Sequence, residues 1–383
     1  MSETFFDFAI IGAGIAGASL AAELEQTHRV VLLDREEFAG YHSTGRSAAL
    51  FSEIYGNSTI RALSRASRDF FFSPPADFAP VALVKRRGSL YIARHSQLPD
   101  LMQFASSEDV ADGVRIVTSE EARGLCPILR KESVASAVLE EQAADVDVSA
   151  LHQGYLRWFR SRGGLLVTNA DVRSLVRANA EWRIATSSGS FHARTIVNAA
   201  GAWADIVAQM AGAASLQIQP RRRTAILVEL PTAISAETWP MVVDIDETFY
   251  FKPDAGLLLI SPADETPVEA SDVQPEELDV AIAIDRIEQA TTLKIQKIRR
   301  RWAGLRSFAP DRTPVVGFDP VQQGFFWLAA HGGYGIQTAP ALSKLAAQLL
   351  RREQNSADSI NPAIISDLSP QRFSVEDPAR SIA

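Results

Sequence analysis

The sequence predicts a Rossmann-like α/β layer with a largely parallel sheet, into which a mainly antiparallel α+β unit is inserted. Three observations lead there. An apolar run passes into a glycine-rich turn and a helix at the very start of the chain. The same strand–helix style returns near 195–210 and again near 324–351. Between these stretches lie strand-like segments of a different character.

Taken in order, 6–11 is a short apolar run with the pattern of a buried parallel strand. Gly12-Ala13-Gly14-Ile15-Ala16-Gly17 follows, and 18–26 has helical spacing with small residues on the side nearest the strand. The Val- and Leu-rich run 29–33 completes a βαβ unit and ends at Asp34. Segments 89–93, 224–229 and 249–260 read as strands, and 149–162 and 280–291 as helices. A strand at 195–198, then Gly201 and a helix through Met210, return to the first style. Near the end, 324–330 reads as a strand and 338–351 as a helix with Pro340 in its first turn. The last thirty residues, rich in Ser, Asp and Pro, read as a loose surface tail. This alternation assigns 1–80, 145–222 and 303–383 to the nucleotide-binding domain, and 81–144 with 223–302 to the insertion.

Composition narrows the function classes. A chain of 383 residues with 46% hydrophobic and 22% charged residues is an ordinary globular mixture with room for more than one core. The net charge of -8 argues against nucleic-acid partners, despite the basic runs 221–223 and 297–301, the second of which reads as a solvated face. A single cysteine, Cys126, excludes an internal disulfide framework and a Cys-cluster metal site. No secretory leader is predicted, and the apolar stretch 195–215 is broken by Asn198, Asp205 and Gln209, so no integral membrane segment is expected. A cytoplasmic protein, with peripheral membrane contact open, is the expectation. His28, His95, His152 and His192 show no metal-ligand spacing and read as surface or capping residues. The pairs Glu140-Glu141 and Glu276-Glu277 read as solvated, and no metal is expected.

The strongest local signal is Gly12, Gly14 and Gly17 between a strand and a helix. Gly12 permits the tight turn, Gly14 lets backbone approach a pyrophosphate, and Gly17 lets helix and strand pack closely. The helix start offers unpaired N–H groups to phosphate, and Asp34, 20 residues after Gly14, is placed for ribose hydroxyls. This is a Rossmann-like dinucleotide signature, and alone it does not separate NAD from FAD.

Four further motifs do. They are Gly40-Tyr41-His42-Ser43-Thr44-Gly45-Arg46-Ser47-Ala48-Ala49, Asn198-Ala199-Ala200-Gly201-Ala202-Trp203, Arg306-Ser307-Phe308-Ala309-Pro310-Asp311 and His331-Gly332-Gly333-Tyr334-Gly335-Ile336-Gln337-Thr338. At these residues, and in their order from Phe8 to about Leu350, the sequence resembles the D-amino-acid oxidase, glycine oxidase and sarcosine oxidase superfamily. The resemblance is closest to the bacterial FAD-dependent D-arginine dehydrogenases. It implies a non-covalent FAD in extended form across the nucleotide domain, and an active site between the flavin and the sheet of the inserted, substrate-binding domain.

By position the resemblance assigns Gly12, Gly14, Ile15, Ala16, Gly17, Asp34 and Arg35 to the pyrophosphate and adenosine. It assigns Ser43, Thr44, Arg46, Ser47 and Ala48 to the flavin's length, and Val172, Ala200, Gly201 and Trp203 to the adenine side. Gly332, Gly333, Tyr334, Gly335, Ile336, Gln337 and Thr338, with Arg306, fall around the flavin's pyrimidine edge, where a helix N-terminus favours negative charge. His42 and His331 sit inside these segments as cofactor neighbours. On the substrate side, Arg223 and Arg306 match carboxylate-binding arginines, and Tyr55 and Tyr250 match tyrosines that close over the substrate; these four are the expected catalytic residues. Ser52, Leu50, Met241, Val243, Gly333 and Gln337 complete the expected substrate pocket.

This sequence departs from the D-arginine enzymes at several points. Gly88 stands where they carry the acid that grips a cationic side chain, Leu50 replaces a histidine, and Ser52 a threonine. The expected substrate is therefore a neutral D-amino acid such as D-leucine, D-methionine or D-phenylalanine, unless Arg86 or Arg87 reaches in and favours an acidic one. The expected reaction is hydride transfer from Cα to flavin N5, giving an imino acid that hydrolyses to a 2-oxo acid and ammonia. A quinone-like acceptor or oxygen reoxidises the flavin. The rival expectations are an N-methyl amino-acid or glycine oxidase, a 2-hydroxy-acid dehydrogenase and a non-catalytic flavin-binding regulator.

Overall fold

The structure, a computed structural model, describes residues 5–232, 234–352 and 362–373. The first strand, Phe5–Ile11, lies between two parallel neighbours, Val30–Leu33 and Gly189–Asn198. Leu165–Val167 extends the sheet on one side. On the other, Phe325–Ala329 pairs with the second half of Gly189–Asn198, and Val315–Phe318 runs antiparallel outside it. The first half of Gly189–Asn198 continues instead into an antiparallel meander with Glu181–Thr186 and Val172–Ala178.

Strands buried on both faces need apolar residues at every position. Val30–Leu33 and Phe325–Ala329 supply them throughout. One face of the sheet packs on the helices Ile15–Leu24, Val148–Ser161 and Gly335–Arg351 through Ile10, Leu32, Leu20, Tyr155 and Leu342. The other packs on Ala204–Ala211 through Ala9, Ile11, Val31 and Val207.

The second sheet runs Ile298–Phe308, Gln219–Val228, Leu257–Ser261, Tyr250–Asp254, Met241–Asp244, Ser89–Ala93, Ser136–Glu140, Arg115–Thr118. It is antiparallel except where Met241–Asp244 meets Ser89–Ala93. Alternation divides its residues between two faces. Ile226, Val242, Phe251 and Ile260 pack with Val280, Ala283 and Ile287 of the helix Glu277–Ala290. The opposite face presents Arg223, Ala225, Tyr250 and Val243 towards the first sheet's cofactor side. A small sheet of Leu50–Phe51, Ala144–Val146 and Val84–Arg86 joins the two layers.

Several expectations change. The run 249–260 is two strands, folded at Ala255 and Gly256, whose φ values of 48° and 81° make a tight hairpin turn. The helix Ser58–Phe72 escaped the sequence reading. It buries Ile60, Leu63 and Phe71 along one stripe, and the Asn57 side chain caps it by accepting from the Ile60 amide at 3.0 Å. The domain boundaries expected at 222/223 and 302/303 fall inside the strands Gln219–Val228 and Ile298–Phe308. Within the expected loose tail, Pro362–Leu368 is a helix whose Leu368 is buried, and Arg372 Nε donates to Asp311 at 2.7 Å. The rest of that tail lies outside the described residues. Among the described residues no helix is long and apolar enough to cross a membrane.

Candidate active site

The glycine turn is built by close backbone approach. A Cβ on Gly12 would lie 2.4 Å from the Ala199 carbonyl oxygen, and the Gly12 φ of 103° is one that side chains disfavour. A Cβ on Gly17 would lie 1.9 Å from the Gly12 carbonyl oxygen, so the helix Ile15–Leu24 reaches this close only with glycine there. Gly14 differs. A Cβ there meets only Thr44 Oγ1, at 3.3 Å, and the crowding it avoids is that of a ligand in the cavity.

Asp34 is held by the same turn. Its carboxylate accepts from the Ala13 amide at 2.7 Å and the Glu36 amide at 2.9 Å, and burial still pushes its pKa up. Thr44 Oγ1 accepts from the Ile15 amide at 2.9 Å, tying the second motif to the first. Beside Asp34, the Arg35 guanidinium stands 5.0 Å over the Trp203 ring, which packs 4.6 Å from the His42 ring. His42 Nε2 lies 2.9 Å from Glu36 Oε1.

A cavity of about 380 Å³ runs from this turn to Arg306, between the two sheets. Of the residues assigned to the cofactor, Gly17, Tyr334, Gln337 and Thr338 lie off its walls, and the rest line it. Gln337 and Thr338 occupy the side of the helix Gly335–Arg351 turned into the protein. Gln337 Nε2 donates to Ser64 Oγ at 2.8 Å, and Thr338 Oγ1 to the Tyr334 carbonyl at 2.9 Å. The segment along the cavity is stitched to the second sheet: Ser43 Oγ donates to the Leu305 carbonyl at 2.6 Å, and Arg46 Nη1 to the Ala303 carbonyl at 3.2 Å.

The residues fit FAD. A pyrophosphate finds a glycine backbone and a helix N-terminus, a ribose finds an oriented carboxylate, and the cavity continues well beyond a mononucleotide's reach to a second sheet.

At the far end Arg306 Nη1 donates to the Tyr55 hydroxyl at 3.0 Å. A Cβ on Gly333 would lie 2.8 Å from Arg306 Nη1, so the glycine loop lets the guanidinium stand here. Tyr334 packs against Tyr55, with ring centroids 4.9 Å apart. Arg306 has no carboxylate partner among the described residues. Arg223 is buried and donates to Glu265 Oε1 at 3.0 Å and to the Asp264 carbonyl at 2.8 Å. Burial raises the Tyr55 phenol. At Tyr250 burial pulls the same way, but Arg306 and Arg223 outweigh it and hold that phenol below its ordinary value.

The other expected pocket residues are more dispersed. Val243 pairs directly with Tyr250 and packs with Met241 in the same apolar cluster. Ser52 is buried and donates to Glu140 Oε2 at 2.7 Å; Leu50 pairs with Asp145 and is off the cavity wall. Arg87 is tied to Asp145 and to the Trp239 carbonyl, and Arg86 to Gln142, so neither arginine reaches the cavity.

Three polar residues were misread or missed. Glu140, expected on a solvated face, is buried and accepts from Ser52, Ser89 and the Glu53 amide, because it lies on the inner face of its strand. His152, expected as a surface or capping residue, is buried with Nε2 2.8 Å from the Ala13 carbonyl oxygen, beneath the glycine turn. Glu265 carried no sequence signal, since its importance comes from Arg223 and Arg312 meeting it in space. His331 lines the cavity, and burial drives its pKa down to about 4, so the imidazole is neutral at ordinary pH.

A dinucleotide cradle that opens onto an arginine–tyrosine pocket on a second sheet defines a flavin-dependent oxidoreductase. The chain belongs to the FAD dependent oxidoreductase (DAO) family, which matches residues 7–349. It is 25% identical over 368 residues to the glycine oxidase of Geobacillus kaustophilus, covering 92% of this chain and 95% of that protein. It is also 25% identical to the mitochondrial dimethylglycine dehydrogenase of Rattus norvegicus, across 95% of this chain and 44% of that longer protein. The crystal structure of the Geobacillus glycine oxidase matches with a TM-score of 0.80 at 23% identity, covering 92% of this chain and 96% of that one. The L-proline dehydrogenase of P. horikoshii matches with a TM-score of 0.81 at 20% identity, covering 91% and 94%. The family is thus shown, whereas the narrower resemblance to D-arginine dehydrogenases is not: the two sequence relatives named are a glycine oxidase and a dimethylglycine dehydrogenase.

Proposed function

We propose that this protein oxidises the carbon–nitrogen bond of a small glycine-type amine, glycine or an N-methylated glycine. The observation that carries this reading is Arg306, a guanidinium on the cavity wall with a bond to Tyr55 and no carboxylate partner among the described residues. An enclosed cation without a counter-ion favours an anionic ligand, and a carboxylate matches its two-pronged donor geometry. The curated relatives named above support the choice of glycine over larger amino acids.

Bound FAD would supply the acceptor for a hydride from the carbon next to the amine nitrogen. This chain's residues do the positioning. Arg306, with an arm of Arg223, holds the carboxylate. Tyr250 on the cavity wall and Tyr55, bonded to Arg306, would brace that clamp and limit how the substrate sits. The imine leaving the site reacts with water, to an oxo acid and an amine if the Cα–H bond was broken, or to formaldehyde and a demethylated amino acid if an N-methyl C–H bond was.

A second reading, a neutral D-amino acid, is favoured by the apolar Met241 and Val243 beside Tyr250. Anaerobic flavin bleaching by glycine, sarcosine, dimethylglycine, D-leucine, D-phenylalanine, D-arginine, D-glutamate and lactate separates these. Glycine or its N-methyl forms should bleach fastest, with ammonia, methylamine or formaldehyde as product. D-leucine or D-phenylalanine at the top would install the second reading. Bleaching by none would leave a flavin-binding regulator.

A further inference from the structure

We propose that Glu265 is a resident counter-ion that competes with the substrate carboxylate for Arg223, and so sets how tightly the site holds an acid. The proposal rests on the reading of Arg306 and Arg223 as the carboxylate clamp.

The two arginines of that clamp are not equivalent. Arg306 meets a phenol and no carboxylate among the described residues, whereas Arg223 Nη2 already lies 3.0 Å from Glu265 Oε1. Glu265 is shared. Its Oε1 and Oε2 each accept from Arg312, at 2.9 Å and 2.9 Å, in a two-pronged pair. Two guanidinium groups therefore share one carboxylate, and the division of that carboxylate between Arg223 and Arg312 decides how much of Arg223 is left for a ligand.

The arrangement is held from both sides. The neighbouring Asp264 accepts from the Thr224 amide at 2.6 Å and from Thr224 Oγ1 at 3.0 Å, which fixes the Glu265 backbone against the strand that carries Arg223. Arg312 stands 4.1 Å over the Phe308 ring, at a backbone φ of 61°. Phe308 in turn underlies Gly332 of the loop beside Arg306. Burial would raise the Glu265 carboxyl, but the hydrogen bonds and charge of Arg312, with the charges of Arg223 and Arg306, outweigh it and hold the acid below its ordinary pKa. Glu265 thus acts through Arg223, as a positioning residue that tunes specificity, and a substrate with one carboxylate meets one full and one partial cation.

Two substitutions in the same ion network should move carboxylate binding in opposite directions. With the FAD-loaded protein, acetate is titrated and the flavin absorbance change gives its Kd, with chloride as the ionic-strength control. E265Q frees Arg223, and the Kd should fall about tenfold. R312Q leaves Glu265 wholly to Arg223, and the Kd should rise about threefold. KM for the amine substrate should follow the acetate Kd, while kcat stays within about twofold. A network that merely braces the fold would shift both variants the same way, and that result overturns the proposal, as does weaker acetate binding in E265Q. If E265Q loses FAD, E265D takes its place; its shorter carboxylate reaches Arg223 less well and should also tighten acetate. R306M is the control for the underlying reading. Acetate binding unchanged in R306M means the clamp itself is wrong, whereas loss in R306M without a gain in E265Q removes only the role of Glu265.

Discussion

Arg306 donates from Nη1 to the Tyr55 hydroxyl at 3.0 Å. The contact links the edge strand Ile298–Phe308 of the second sheet to the segment that leads into the helix Ser58–Phe72. The phenol, raised by burial, stays protonated, so it accepts from the guanidinium and keeps its own proton to donate.

Arg306→Met is expected to lower kcat/KM by about 2–5 kcal/mol of transition-state stabilisation, since the substrate carboxylate loses its uncompensated partner. Arg223→Met should cost less, because Glu265 already holds that guanidinium. FAD content should be unchanged in both. Steady-state kinetics with the flavin-to-protein absorbance ratio checks this, and an equal loss in the two variants would contradict the asymmetry.

Gly12→Ala and Gly14→Ala should part company. At Gly12 a methyl collides with the Ala199 carbonyl and the backbone is strained, so the unfolding temperature of the apoprotein should drop and FAD should be absent. At Gly14 the protein has room beside Thr44, so the apoprotein's unfolding temperature should stay near wild type while FAD retention falls. Thermal melts of apoprotein with FAD titration read both effects.

FAD should be released by acid precipitation into a yellow supernatant. The one cysteine, Cys126, packs in the core of the second sheet, with its thiol pushed up to about 12 by burial, and is no attachment point. Colour that stays in the pellet would point to a covalent link.

His331 should give the protein an acid sensitivity. Its pKa falls from 6.5 to about 4 on folding because burial penalises the charged ring. The unfolded chain then takes up a proton that the folded one refuses, so this contribution is full above pH 6.5 and is lost as pH falls towards 4. His331→Gln should lose stability less steeply than wild type over that window in denaturant titrations. Parallel curves would show that the ring is not buried in solution.

The nucleotide layer was legible because its signals are local. Gly12, Gly14, Gly17 and Asp34 lie within one βαβ unit, whose strands are apolar but for Asp7 near the start of the first. Arg223 and Arg306 came from resemblance, and the structure brings them to one wall although 83 residues separate them. Glu140 and Glu265 were not legible. A carboxylate's burial depends on which face of a strand it occupies and on partners far away in sequence, and a Glu-Glu dipeptide looks solvated until the sheet is assembled. Gln337 and Thr338 show the converse: they stand inside a cofactor motif, but helical rotation turns them to Ser64 and Tyr334.

The strand order around Phe5–Ile11 bears on how such a chain is made. Its parallel partner Gly189–Asn198 and the outer strand Phe325–Ala329 are far downstream, and the helix Ile15–Leu24 packs on Gly335–Arg351. A growing chain therefore emerges with its glycine turn first but lacking the Ala199 wall, and later the loop at 332–335 that closes the far end. The first strand must wait with an apolar edge unpaired while the whole inserted sheet is synthesised, the situation in which aggregation competes with folding. The cavity that fits the flavin is accordingly completed only when residues 332–336, at the start of the helix Gly335–Arg351, reach it.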